Sequence, residues 1–350
     1  MNEPMLSIVV SVYNEEEVLP EFRRTIEDEL KQLGSNKKVT HETKQWKYEI
    51  IFVNDGSQDK SKELLDQFAK EREFIKVVHF ARNFGHESAM IAGIDRASGD
   101  FIICMDADLQ NPPKEIHRML DQYELGYDVV LMARKENKDA GIMKNMASKV
   151  FYGVLNAVSS VKFEQSVSDF FGISKRVATI LRGRYREVNR YLRGYIQNVG
   201  FQRVILEYKA EERGGGHSKY SFKKLFNVAL DALTCFSKTP LRAGLYVGGI
   251  SGILSVFLII YYGITYWLNG EGNGMILLCF FLFLFFTVLF LVLGIMGEYI
   301  GVLLEEVKDR PIYLVKEERN LVPVSIDGKR MARGKEVEKK EEEEENVQSF

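Results

Sequence analysis

The sequence predicts an α/β fold with a mostly parallel sheet, joined to a pair of long apolar helices near the C-terminus. Short runs of β-branched residues alternate with amphipathic helical patterns through the first 130 residues, and this alternation is typical of parallel sheets flanked by helices. Two uncharged stretches lie near residue 250 and beyond, and each is long enough to cross the hydrocarbon core of a bilayer. The 350 residues leave room for two or three domains.

Five short apolar runs are predicted as buried parallel strands: residues 6–13, 48–54, 74–80, 100–105 and 127–132. Helical patterns follow the first four, at residues 15–33, 59–72, 87–97 and 114–125. The polar segment 34–47 is predicted as a surface loop. Later elements are a helix at 142–158 and a strand at 201–208, and we find no sustained periodicity beyond Pro311.

The uncharged residues 243–268 and 275–297, with a short link between them, predict a hairpin of two transmembrane helices. A buried core helix is the alternative, although it fits shorter runs better. Lys and Arg flank the hairpin while its turn carries only Glu271, so both termini are expected on the cytosolic side of the cell membrane, in a multi-pass arrangement. Residues 221–237 are amphipathic and basic at their start. They predict a helix on the membrane surface, with packing on the domain core as the alternative.

Composition excludes several classes of protein. The formal net charge is −2, which argues against a nucleic-acid-binding protein. The three cysteines have no CxxC spacing, which argues against a disulfide framework and against a cysteine zinc site. The predicted units are a cytosolic domain (1–215), a juxtamembrane helix (216–242), the hairpin, a cytosolic segment (298–325) and a disordered acidic tail (326–350).

Acidic residues follow three of the predicted strands. Asp106 and Asp108 follow the fourth strand, Asp55 the second and Glu15 the first. Ligands of such sheets collect at the carboxyl ends of the strands, where Mg²⁺ or Mn²⁺ would bind carboxylates and complete its shell with water and the phosphates of a nucleotide. A DxD pair alone is weak evidence for a metal site, because acidic residues also follow strands where they only keep the surface soluble. The convergence of several acids on one edge is what predicts a cation site.

Several short segments together resemble the family 2 glycosyltransferases, which bind nucleotide-sugars with a GT-A (Rossmann-like) fold. They are VSVYNEEE (10–17), VNDGSQD (53–59), RNFGHESAM (82–90), MDADLQNPP (105–113), RGGGHSKY (213–220) and SKTPLR (237–242). With the hairpin, GEYIG and EVKDRPIY, they are similar to the membrane-anchored branch that glycosylates polyprenyl phosphates, such as bactoprenol glucosyltransferases and dolichol-phosphate mannose synthases. The resemblance covers about residues 5 to 315.

The resemblance implies roles for individual residues. The nucleotide-sugar would be held by Tyr13, Asn14, Glu15, Asp55, Ser57, Asp106 and Gln110, the metal by Asp106, Asp108 and Gln110, and the lipid phosphate by Arg134, Lys144, Ser148, Arg213 and Lys219. Asp106, Asp108, Arg213 and Lys219 would be the catalytic residues. Arg213 and Lys219 also bracket three glycines, a composition that suits a phosphate clamp. The alternatives are strand-end packing for Tyr13, a first-turn helix acid for Glu15 and solvated charges for Arg134 and Lys144.

The reaction implied is inverting, metal-dependent transfer of one sugar from UDP-glucose or UDP-N-acetylglucosamine to undecaprenyl phosphate at the cytosolic face, for modification of cell-envelope glycans. The partners would be the nucleotide-sugar, the polyprenyl phosphate, the bilayer, a separate flippase, a downstream transferase and other copies of the chain. The alternatives are a different lipid or glycan acceptor and a catalytically silent membrane scaffold. Asp169 is open between a structural and a catalytic role. Ser11 and Phe171 depart from the family pattern, where many relatives have Pro and Arg.

Overall fold

The computed structural model describes residues 3–34, 45–135, 167–188, 190–209, 239–269 and 274–321. The strands within these ranges are β1 Met5–Val12, β2 Lys47–Asn54, β3 Ile75–Phe80, β4 Phe101–Asp106, β5 Val129–Arg134, β6 Val167–Ser174, β7 Arg203–Tyr208 and β8 Val315–Arg319. The helices are α1 Leu19–Gly34, α2 Ser61–Glu71, α3 His86–Arg96, α4 Glu115–Glu124, α5 Lys175–Arg184, α6 Leu192–Asn198, α7 Thr239–Asn269 and α8 Gly274–Val307.

The strands form one sheet in the order β7-β5-β6-β4-β1-β2-β3-β8. β1 pairs in parallel with β2 and β4, as do β2 with β3 and β5 with β7. β6 is antiparallel to both of its neighbours, and β8 is antiparallel to β3. The predicted mostly parallel sheet is therefore confirmed, and its six predicted strands lie within two residues of the observed bounds.

Alternation along the strands divides the core into two layers. Leu6, Ile8 and Val10 of β1 face an apolar cluster that includes side chains of α1, α2 and α4. Val9 and its neighbours on the opposite face join a second cluster with α3, α5 and α6. Since side chains of a strand alternate between the two faces of a sheet, helices cover both faces of this one.

The strand β8 follows the apolar helices and returns to the sheet, in a segment whose sequence shows no sustained periodicity. Five residues at a sheet edge are too few to show one. The Arg96 Nε atom lies 2.6 Å from Glu318 Oε1, and the Tyr313 hydroxyl donates to Asp95 at 2.6 Å. The Ala81 N–H donates to the Leu314 carbonyl at 2.9 Å. These contacts attach the segment around β8 to β3 and to the end of α3.

The helices α7 and α8 are long and apolar enough to cross a membrane, over Tyr246–Leu268 and Leu284–Val307. Large apolar side chains on them stay exposed to the surroundings, and Trp267 is 85% exposed, as expected of surfaces that lie in lipid. The second helix continues past the predicted end at residue 297. Near its end, Glu306 accepts a hydrogen bond from the Val188 N–H at 2.6 Å, which ties the helix to the α/β domain.

Several predictions concern residues outside the described ranges. They are the helix at 142–158, the amphipathic helix at 221–237, the acidic tail, and the site residues Lys144, Ser148, Arg213 and Lys219.

Candidate active site

The structure brings the ends of three predicted strands to one edge of the sheet. Asp106 is the last residue of β4 and lies in register with Ser11 of β1. Asn54 is the last residue of β2 and lies in register with Val12. The segments that begin at Tyr13, Asp55 and Asp108 therefore leave the sheet side by side, as the parallel pairing predicts.

The loops after β1 and β2 are joined by hydrogen bonds. The Asn14 N–H donates to Ser57 Oγ at 3.0 Å, and Asn14 Oδ1 accepts from the Gln58 N–H at 2.8 Å. The Glu15 N–H donates to Ser61 Oγ at 3.0 Å, which places Glu15 just before α1. Tyr13 beside them is 45% exposed. An exposed tyrosine ring on a rigid pair of loops is suited to stacking on a planar ligand.

Asp55 shapes the loop that follows β3. Its two carboxylate oxygens accept from the N–H groups of Phe84 at 2.6 Å and Gly85 at 2.9 Å. Burial raises the pKa of this carboxyl above its ordinary value, although these two hydrogen bonds act in the opposite direction. Gly56 completes the contact, because a Cβ atom there would lie 2.5 Å from the Arg82 carbonyl carbon and its φ is +70°, so only glycine fits without strain.

A polar cluster surrounds Asp106. The Ser11 hydroxyl donates to Asp106 Oδ1 at 3.2 Å and lies 2.8 Å from Nδ1 of His86. The same imidazole lies between two carboxylates, 3.4 Å from Asp106 Oδ1 and 3.8 Å from Asp169 Oδ2. Burial lowers the pKa of His86, but the carboxylates of Asp106, Asp169 and Glu87 outweigh burial and raise it overall. The neighbouring carboxylates therefore stabilise the protonated imidazole more than burial destabilises it.

Asp169 lies at the start of β6, which is antiparallel to β4 and so begins at the same edge. Its Oδ1 atom lies 2.7 Å from Nε of Arg193 in α6. Together with the position of His86, this ion pair fixes the Asp169 carboxylate beside the candidate site. The ion pair connects β6 to α6.

Asp108 and Leu109 form a tight turn after β4. Asp108 Oδ1 accepts from the Gln110 N–H at 3.0 Å, and Leu109 has φ +62°. No group of three or more His, Cys, Asp or Glu side chains in the described part of the chain is arranged to hold a metal ion. The carboxylates of Asp106 and Asp108 are hard oxygen donors that fit Mg²⁺ or Mn²⁺ only if water or phosphate oxygens complete the shell.

A pocket of 310 Å³ opens beside this edge, at the carboxyl ends of β2 and β3. Its wall includes Asn54, Ser57, Arg82, Asn83 and Lys316. Ser57 was predicted as a nucleotide contact, whereas Lys316 comes from the strand that follows the apolar hairpin.

Comparisons with known proteins identify the family of the chain. Residues 7–179 match the family model described as glycosyl transferase family 2. A glycosyltransferase of Synechocystis sp. is 37% identical over 317 residues, which is 89% of this chain and 95% of that protein. The SfII prophage-derived bactoprenol glucosyl transferase of Shigella flexneri is 34% identical over 316 residues, or 89% of this chain and 97% of that protein. The chain belongs to glycosyl transferase family 2.

The alignments with the two relatives extend well beyond the matched family domain, since each covers 89% of the chain. A glycosyltransferase of Bacillus subtilis is similarly 34% identical over 330 residues, 93% of this chain and 96% of its own length. The resemblance drawn from the short motifs is thereby confirmed, and the protein is an enzyme of the glycosyltransferase class.

In this family 2 glycosyltransferase, Arg134 ends β5, which runs in the same direction as β4 with β6 between them. Its Nε atom donates to the Tyr208 hydroxyl at 3.1 Å. Arg134 thus lies at the site edge, although on the far side of β6 from Asp106. Phe171, where the sequence departs from the family pattern, is 1% exposed and lies within the core.

Sequence analysis missed His86, Glu87 and Arg193 as parts of the site. His86 and Glu87 belong to the RNFGHESAM segment, which contributed only to the resemblance. Arg193 lies in a helix of seven residues that carries no periodic signal. These residues meet Asp106 and Asp169 only because α3 and α6 pack on the same face of the sheet.

Glu87→Gln should flatten the dependence of stability on pH between about 4.5 and 7. Burial, reinforced by the Asp169 charge, raises the pKa of Glu87 to about 7 from its ordinary 4.5. The folded carboxyl keeps its proton to a higher pH than the unfolded one. The stability that Glu87 contributes is therefore fully present below pH 4.5 and is lost as the pH rises through 7. The measurement is the Tm of both proteins from pH 5 to pH 8.

Relative to the wild type, the free energy of unfolding of Glu87→Gln should be roughly 1–3 kcal/mol higher at pH 8 than at pH 5. Glu63→Gln, which changes an exposed carboxyl on α2, is the matched control. It should change Tm by the same amount at every pH. Parallel curves for wild type and Glu87→Gln would contradict the prediction.

Proposed function

We propose that this glycosyltransferase transfers one sugar from a nucleotide-sugar, UDP-glucose or UDP-N-acetylglucosamine, to a polyprenyl phosphate such as undecaprenyl phosphate. The reaction takes place at the cytosolic face of the cell membrane and modifies cell-envelope glycans. The observation that carries the proposal is the combination, in one chain, of an acid-lined sheet edge with two helices of membrane-spanning length. The bactoprenol glucosyl transferase of Shigella flexneri matches the chain over both parts.

The sheet edge suits the nucleotide-sugar. Tyr13 offers a ring for stacking, and the joined loops at Asn14 and Ser57 offer polar groups for the nucleoside. Asp106 and Asp108, with Gln110, would hold Mg²⁺ or Mn²⁺, which when bound supplies positive charge to the diphosphate. The hydrogen bond from Ser11 holds the Asp106 carboxylate in place at the end of β4.

The acceptor requires positioning more than activation. A polyprenyl phosphate is already anionic, so attack on the anomeric carbon needs no strong base, and a single in-line displacement inverts the configuration of the sugar. Arg134 at the site edge, with Arg213, Lys219, Lys144 and Ser148 from other segments, would hold the lipid phosphate. The apolar helices would keep the polyprenyl chain within reach, because both would then lie in the same bilayer.

The test is an assay of the full chain in detergent with undecaprenyl phosphate, Mn²⁺ or Mg²⁺, and a panel of UDP- and GDP-sugars. We expect nucleoside diphosphate release together with a lipid that gains the mass of one hexose or N-acetylhexosamine. Asp108→Ala should remove both signals. Omitting the metal, with chelator present, should do the same if the carboxylate pair acts through a cation.

Each other outcome has a defined meaning. Turnover on diacylglycerol or an oligosaccharide, but not on the lipid phosphate, would contradict the proposed acceptor. A hydroxyl acceptor would also require a general base. A folded protein that binds no nucleotide-sugar would favour the silent-scaffold alternative. Turnover that Asp108→Ala leaves unchanged would show that the DxD pair is not part of the site.

A further inference from the structure

The 310 Å³ pocket beside the candidate active site is partly built by the chain that follows the membrane hairpin. Most of its wall comes from the ends of β2 and β3, from the loops after them and from the first turn of α2. Lys316 of β8 is the exception, since it lies more than 230 residues further along the sequence. The family model ends at residue 179, so the pocket has a contribution from outside the matched domain.

A β-bulge places Lys316 in the pocket wall. Val78 and His79 of β3 face Glu318 and Glu317 of β8, but the next residue, Phe80, faces Val315. Lys316 is therefore an extra residue that pairs with no residue of β3. Bulges of this kind redirect one side chain and are common beside active sites.

Contacts on both sides hold the bulge in place. Lys62 Nζ lies 3.0 Å from Glu317 Oε1, and Arg319 Nε lies 2.8 Å from Asp66 Oδ1. Tyr313 stacks on Phe80 with the ring centroids 5.2 Å apart. The backbone at Lys316 is thus fixed by its neighbours, while Lys316 itself is exposed and has no ion-pair partner among the described residues.

The pocket is positively charged. Its charged lining residues in the described part of the chain are Lys62, Arg82 and Lys316, without a carboxylate among them. The charge of Lys62 is offset by Glu317, and the Arg82 guanidinium lies over the Phe84 ring, 4.1 Å from its centroid. Lys316 therefore remains as a donor available to a ligand with exposed oxygen acceptors.

The position of the pocket identifies which part of the nucleotide would reach it. The diphosphate belongs at Asp106 at the end of β4, and β1 lies between β4 and β2. Neighbouring strands are about 4.8 Å apart, so the pocket lies about two strands, or roughly 10 Å, from the diphosphate position. A ribose spans the intervening strand, which leaves the base at the pocket.

We propose that Lys316 recognises the base of the nucleotide donor by donating a hydrogen bond from its ammonium group to a carbonyl oxygen of the base. This inference rests on the proposed function, because it takes the ligand to be a nucleotide-sugar. An ammonium group only donates, so it can donate to uracil O4 or guanine O6. It finds no acceptor in the amino groups that cytosine and adenine carry at the same position. The strand after the hairpin thereby contributes to the choice of donor.

The test measures binding of UDP and CDP, with Mn²⁺, to the full chain in detergent. Lys316→Met keeps the length of the side chain and removes its charge, and it should weaken UDP binding about tenfold while changing CDP binding little. Lys316→Arg should keep UDP binding within about threefold. In the transfer assay Lys316→Met should raise the KM for the donor and leave kcat at saturation unchanged.

Lys70→Met is the matched control, because it removes an equal charge from an exposed position on α2 and should change neither affinity. Unchanged UDP binding by Lys316→Met would overturn the inference, and so would an equal loss for UDP and CDP, since that indicates general charge attraction. If the wild type binds GDP and not UDP, GDP and ADP form the diagnostic pair. A folded wild type that binds none of the four would contradict the proposed function itself.

Discussion

Asp106→Asn should lower kcat by about two to three orders of magnitude. The substitution keeps the shape of the side chain and an oxygen that can accept from Ser11, but it removes the negative charge at the end of β4. Without that charge a divalent cation loses a hard ligand, and the departing diphosphate loses its neutralisation. The measurement is steady-state turnover at saturating donor and lipid over a range of Mn²⁺ concentrations.

The control for this prediction is the aspartate just before the start of the same strand. Asp100 immediately precedes β4 at the opposite end, where its Oδ2 accepts from the Met5 N–H at 3.0 Å and its side chain is 43% exposed. Asp100→Asn makes the same chemical change away from the site and should keep kcat within about twofold. If Asp106→Asn retained wild-type turnover at every Mn²⁺ concentration, Asp106 would have no catalytic role.

Lys76→Met should destabilise the α/β domain by about 3–5 kcal/mol, or lower Tm by roughly 6–20 °C. Glu49 is 1% exposed, and its carboxylate pairs with Lys76 and accepts hydrogen bonds from Ser7 and Ser98. Burial alone would raise the pKa of Glu49, but the Lys76 ammonium and these hydrogen bonds outweigh it and lower the pKa. Removing Lys76 leaves a buried charge without its counterion.

The pH dependence distinguishes this mechanism from simple loss of packing. Because the folded pKa of Glu49 is below its unfolded value, the stability it contributes is present above the ordinary carboxyl pKa and is lost as the pH falls. The difference in Tm between wild type and Lys76→Met should therefore shrink at acidic pH, where Glu49 takes up a proton.

Two further variants complete that experiment. Lys31→Met breaks a 3.0 Å ion pair with Asp28 in which both side chains are more than 60% exposed, and it should cost less than about 1 kcal/mol. Glu49→Gln combined with Lys76→Met should recover part of the loss, because no unpaired charge remains. Equal Tm values for Lys76→Met and Lys31→Met would show that the buried ion pair contributes no more to stability than the exposed one.

Some of the site was predictable from the residues that follow each strand. Asp106, Asp108 and Asp55 were placed at one sheet edge because alternating strands and helices predict parallel pairing, and parallel strands end together. The contacts of Asp55 were not predictable: both of its oxygens accept from backbone N–H groups of the loop at Phe84 and Gly85. Its proposed contact with the nucleotide stays a prediction.

Ser11 shows how tertiary structure changes the meaning of a residue. From the sequence it was only a departure from the proline of many relatives. In the structure its hydroxyl reaches Asp106 and His86, contacts that proline has no side-chain donor to make. The register between β1 and β4 decides this, and register depends on pairing between segments about 90 residues apart.

The sequence by itself determined the α/β alternation, the strand ends that carry acids and the two apolar helices, because each of these depends on local periodicity or on the length of an uncharged run. Only the tertiary structure decided that β6 inserts antiparallel between β4 and β5, that His86 and Arg193 meet Asp169, and that β8 returns after the hairpin to bring Lys316 to the pocket. These features are contacts between distant segments. They depend on which faces and edges of the sheet are left exposed after the first strands have paired. A local sequence pattern carries no information about those surfaces.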